Sequence, residues 1–69
     1  MTEEEIADGN YRLGIISGLE QAAFILKKKA LEYFGNNKDT YAKLFRNQSD
    51  QLYRIAEICR KEYDELYPK

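Results

Sequence analysis

The side chains that could do chemistry in this chain are one thiol, six phenols, twelve carboxylates and eleven cations; imidazole is missing altogether. Without histidine, acid–base, triad and histidine–metal chemistries near neutral pH lose their usual group. The four glycines stand at positions 9, 14, 18 and 35, and their helical spacing offers no loop to cradle a phosphate. Cys59 is the only cysteine, which excludes an intrachain disulfide and points to a reducing compartment. No neighbour in sequence would activate its thiolate, so it reads as a small core hydrophobe. Many carboxylates fall four residues from a cation, as Arg46–Asp50, Asp50–Arg54, Glu57–Lys61, Arg60–Asp64 and Lys61–Glu65, the pattern of solvated helix surface. The sequence therefore predicts a protein that is not an enzyme and holds no cofactor and no metal. Whatever it does must reside in its surfaces.

Two sets of residues could make such surfaces. Lys28, Lys29, Lys38, Lys43 and Arg46, with Lys27 beside them, could contact an anionic ligand or an acidic partner, or could simply solvate one end of the molecule. Gly14, Gly18 and Ala22 recur four apart and would form a smooth groove on a helix. Two interior glycines cost about 1 kcal/mol each relative to alanine, so the groove needs a use. It either lets a second copy approach closely or forms a notch for Ile55 or Ile58 in the chain's own core. Leu13, Phe24 and Leu31 complete the candidate oligomer interface.

The elements that must position these residues are two helices. Thr2-Glu3-Glu4-Glu5 is a capping box with acids in the first turn, and helix 1 is expected over about 3–34, continuous through Gly9-Asn10. Its wide apolar stripe comprises Ile15, Ile16, Leu19, Ala22, Ala23, Leu26, Ala30, Tyr33 and Phe34. Leu13, Phe24 and Leu31 lie well outside that stripe, and one partner helix cannot cover both sets. Gly35-Asn36-Asn37 is the stop signal, with Gly35 expected in a left-handed cap. The turn spans 35–38, and Asn37 or Asp39 is expected to cap helix 2, which runs over about 39–66. On helix 2 the expected core face is Tyr41, Phe45, Gln48, Leu52, Ile55, Ala56, Cys59, Tyr63 and Leu66, with Ser49 at its edge. So short a connection makes the helices antiparallel neighbours. The fold class is all-α, with residues 1–69 forming a single α-hairpin domain. A two-helix chain of 8.1 kDa is marginal alone, so the hairpin is expected to assemble into a four-helix bundle or larger homo-oligomer.

Charge narrows the partners. The net charge of -1 does not favour a general nucleic-acid binder, although a nucleic acid or nucleotide at the basic turn end stays open, as does a protein partner. The acidic N-terminus does not suit a signal peptide, and no apolar run is long enough for a membrane; a cytoplasmic protein is expected. The segment Asp50-Gln51-Leu52-Tyr53-Arg54 resembles a stretch of the second helix of Rop-type proteins, whose helical hairpins dimerise into four-helix bundles that bind RNA hairpins. The spacing Tyr11, Gly14, Gly18, Ala22-Ala23, Leu26, Ala30, then Ala42, Leu44, Arg46, Leu52, Ala56 resembles short uncharacterised hairpin proteins of phages and mobile elements. Those resemblances imply the hairpin fold and, from the Rop-type layout, self-association into a bundle, far more than any role; the runner-up reading is a small regulator or inhibitor acting through the basic turn end.

Overall fold

A computed structural model describes residues Met1–Pro68. Helix α1 spans Glu3–Gly35 and helix α2 spans Asp39–Leu66. They pack against each other as an antiparallel hairpin whose Cα atoms extend over 53 × 16 × 14 Å. Among the described residues there is no strand. At the N-terminus Thr2 Oγ1 accepts the amide of Glu5 at 3.2 Å, and Glu3, Glu4 and Glu5 face the positive end of the helix dipole. The helix then continues through Gly9 and Asn10 without a break.

The turn differs from expectation. Gly35 is the last helical residue, and Asn37 takes the left-handed conformation, with φ of 60°. Lys38 donates its amide to the Tyr33 carbonyl at 2.9 Å, and Asn37 donates to Phe34 at 3.2 Å. This is a Schellman closure with asparagine in the glycine position. Because Asn37 is used there, it does not cap α2, and neither does Asp39; the N-cap is Lys38, which makes no side-chain cap bond.

The seam between the helices follows a strict seven-residue repeat. Gly9, Ile16, Ala23 and Ala30 are buried on α1, and Ala42, Ser49 and Ala56 are buried on α2. Half-buried Arg12, Leu19, Leu26 and Tyr33, and Phe45, Leu52, Cys59 and Tyr63, flank them. A repeat of seven keeps one narrow seam facing the partner along the whole helix, so the core face is narrower than a 100°-per-residue stripe. Ile15 and Phe34 on α1, and Tyr41, Gln48, Ile55 and Leu66 on α2, are exposed rather than core. Ala42 and Ser49 take the inner positions instead. The seam is made mostly of small residues, which allows the backbones to approach closely. Ser49 Oγ donates to the Ala23 carbonyl at 2.7 Å in the buried centre, locking the register. Large residues sit opposite small ones: a Cβ at Gly9 would lie 3.7 Å from the Tyr63 ring. Near the turn Tyr33 stacks on Phe45 with centroids 5.4 Å apart.

Candidate functional site

Cross-helix ion pairs define the two broad sides of the hairpin. Arg12 Nη1 reaches Glu62 Oε1 at 2.7 Å on one side, and Arg60 Nη2 reaches Glu20 Oε1 at 2.8 Å on the other. With the bond from Arg12 to Asp8, these are the ion pairs among the described residues. The five pairs expected along α2 do not close; Arg60 crosses to α1 instead.

At the open end Asp8 accepts hydrogen bonds from the Tyr67 hydroxyl and from Arg12 Nε. Those bonds, Tyr67 first, hold the Asp8 carboxyl below its usual range, and the same contact pushes the Tyr67 phenol above its own. The stabilisation is present above the ordinary aspartate value of 3.8. It is lost as pH falls below that value through the lower folded one. Acidification from pH 5 to well below 3.8 is therefore expected to protonate Asp8 and weaken its hold on Tyr67, seen as a shift of the Tyr67 ring resonances. Asp8→Asn is expected to abolish that transition.

On the Arg12–Glu62 side, steps of seven residues from Glu62 reach Ile55, Gln48 and Tyr41, and α1 contributes Ile15 and Ala22 beside them. One position further out lie Tyr11, Gly18 and Ile25 on α1, and Leu44, Gln51 and Ile58 on α2. From Tyr11 to Ile25 on α1 and from Tyr41 to Ile58 on α2 these rows carry no charged residue; towards the turn the Ile15–Ala22 row continues at Lys29. Its large side chains are open to solvent, with Ile25 58% and Ile58 64% exposed.

The opposite side is mixed. Phe24 and Leu31 form a strip along α1, 55% and 66% exposed, and Phe34 extends it. Leu13 borders the same side. Towards the turn the strip opens into a cleft of about 410 Å³, walled by Leu31 and Phe34 and floored by Ala30, Ala42 and Ser49. The cleft exists because two alanine methyls are all that fills the seam at that level. Its rim carries Lys27, Lys43 and Arg46, with Asp39 and Asp50. Among the described residues none of these cations closes an ion pair.

The sequence-predicted sets are thus divided. Gly18 and Ala22 belong to the charge-free face, while Leu13, Phe24 and Leu31 belong to the mixed side. A Cβ at Gly14 or Gly18 would meet nothing within 4 Å, so neither glycine is a notch for Ile55 or Ile58. Gly14→Ala is accordingly expected to raise unfolding free energy by about 1 kcal/mol, measured by denaturant titration. Of the basic set, Lys43 and Arg46 meet at the cleft. Lys28 lies over the Phe24 ring at 5.6 Å, and Lys38 over Tyr33 at 5.8 Å. Lys29 is on the other broad side, where it continues the Ile15–Ala22 row and ends the uncharged stretch towards the turn. Lys27 joins the cleft in their place; its position seven residues after Glu20 was the signal, readable only once Glu20 was known to flank the seam.

No protein family, curated protein or solved structure matches the chain. Among the described residues no group of three His, Cys, Asp or Glu side chains could hold a metal ion, and no helix is long and apolar enough to cross a membrane.

Charge also divides along the rod. In the half nearer the open end, Glu3, Glu4, Glu5, Asp8, Glu57, Glu62, Asp64 and Glu65 face Arg12, Arg54, Arg60 and Lys61, leaving −4 among the described residues. In the turn half Lys27, Lys28, Lys29, Lys38, Lys43 and Arg46 outnumber Glu20, Glu32, Asp39 and Asp50 by two.

Proposed function

We propose that this chain is a non-enzymatic interaction module that pairs with a second copy through its charge-free face, forming a four-helix bundle, and binds a macromolecular partner with the side left outside. The observation that carries it is the run of uncharged side chains on that face, from Tyr11 to Ile25 on α1 and from Tyr41 to Ile58 on α2, in a chain that is 33% charged. Area supports the same reading. The hairpin exposes 5753 Å², whereas a compact monomer of its mass exposes about 4,500 Å². Two copies packed to ordinary compactness would bury roughly 4,000 Å² in total, within the range of obligate homodimers. A head-to-tail arrangement sets the acidic open end of one copy against the basic turn end of the other; a parallel one sets like on like.

Sedimentation at micromolar concentration is expected to give a dimer or larger species, and a stably folded monomer would remove the proposal. Orientation is read by cysteine pairing in a Cys59→Ala background. Leu44 and Ile58 are about 21 Å apart along α2, beyond disulfide reach. A mixture of Leu44→Cys and Ile58→Cys chains is expected to cross-link between the two variants and not within either. Gly18→Ala is expected to stabilise less than Gly14→Ala, because only Gly18 lies where the second copy approaches.

A second reading rests on the unpaired Lys27, Lys43 and Arg46: a small regulator whose turn end holds a nucleic acid or nucleotide. It requires binding that weakens steeply between low and moderate salt.

A further inference from the structure

We infer that the Phe24–Leu31 strip and its cleft form a docking groove for an amphipathic helix with an apolar stripe and acidic flanks, supplied by a partner protein. This deepens the partner-binding part of the proposed function and rests on it. Phe24 and Leu31 are seven residues apart, so the strip runs about 10 Å along α1 before opening into the cleft beside Phe34. Its length and open side suit an elongated element with recurring apolar side chains rather than a compact ligand. A helix laying anchors at three- and four-residue spacing into an apolar groove is a familiar mode of recognition.

Charge selects the flanks. Lys28 lies along the outer edge of the strip, against Phe24, with its ammonium 5.6 Å from the ring centroid. Lys27, Lys43 and Arg46 stand on the inner edge, at the cleft. The apolar strip thus has Lys28 on its outer edge and, at the cleft, three cations against Asp39 and Asp50, while Glu20 beside Phe24 is paired with Arg60; the positive excess complements an apolar stripe flanked by carboxylates. The Arg46 guanidinium adds a planar fork suited to a carboxylate.

A nucleic acid fits less well. The strip offers aliphatic and phenyl surface that a phosphate backbone cannot bury. A carboxylate-flanked helix can spread its acids towards the cations and place its stripe on Leu31 and Phe34. The groove is on the side away from the charge-free face, so pairing of two copies leaves it accessible.

The test uses fluorescent 18-residue helical peptides with leucines on one stripe and either glutamates or lysines beside it, together with an RNA hairpin. The full chain is expected to bind the glutamate peptide, and Lys27→Glu with Arg46→Glu is expected to weaken binding at least ten-fold. The lysine peptide is expected to regain affinity for that double variant. Absence of binding by the glutamate peptide, equal binding of both peptides to the native chain, or preference for the RNA would each overturn the inference. Sedimentation of the same samples reports self-association separately, and circular dichroism confirms that the double variant stays helical.

Discussion

Ile55→Glu is expected to weaken self-association at least 100-fold, about 2.7 kcal/mol, and to leave a chain that sediments as a monomer at micromolar concentration. Ile55 lies next to the seam on the charge-free face and is 46% exposed in the single hairpin. The substitution therefore removes only part of the packing within one chain. In a paired assembly it puts a carboxylate from each copy into rows with no cation from Tyr11 to Ile25 on α1 or from Tyr41 to Ile58 on α2, where an unpaired charge is poorly offset. The loss of isoleucine burial adds to this. Arg54→Glu, one residue away on the solvated side of α2, is the control and is expected to leave the sedimentation coefficient unchanged. Native-like association of Ile55→Glu would show that the charge-free face is not the interface. The thermal midpoint provides a second readout: it is expected to depend on protein concentration for the native chain and not for the variant.

The second large effect is expected from Ala23→Leu. Ala23 is 0% exposed, and its carbonyl accepts the Ser49 hydroxyl at 2.7 Å. A leucine there has no volume to occupy unless the helices separate, and separation breaks the one buried side-chain hydrogen bond between them. Overpacking and an unsatisfied buried hydroxyl together are expected to cost about 3 kcal/mol or more. For so small a hairpin that approaches the whole stability, so circular dichroism at 25 °C is expected to show substantial loss of helix. Phe24→Ala, the adjacent residue on the exposed strip, is expected to change unfolding free energy by less than about 0.5 kcal/mol. The contrast between neighbours separates seam from surface.

That two helices form and lie antiparallel is legible in the residues alone. The Thr2–Glu5 cap, the long apolar periodicity and the Gly-Asn-Asn break are local signals, and each depends on residues within a few positions of one another. The sequence also places more apolar surface on helix 1 than one neighbour covers, as exposed Leu13, Phe24 and Leu31 attest. Which residues face the partner helix depends instead on how the two helices pack along their length. Ala42 and Ser49 take the seam in place of Tyr41 and Gln48, and Ala56 keeps the place expected for it while Ile55 leaves, although the excluded residues are larger. The physical reason is that two long helices gain most by close approach along their whole length, and only small side chains recurring every seven residues permit it. That rotation turns Ile55, Tyr41 and Ile15 onto an open flank and gathers them into the charge-free face. The same rotation brings Lys27 to Lys43 and Arg46, while Lys28, Lys29 and Lys38 point elsewhere. A run of lysines in a sequence carries no direction; the seam supplies it.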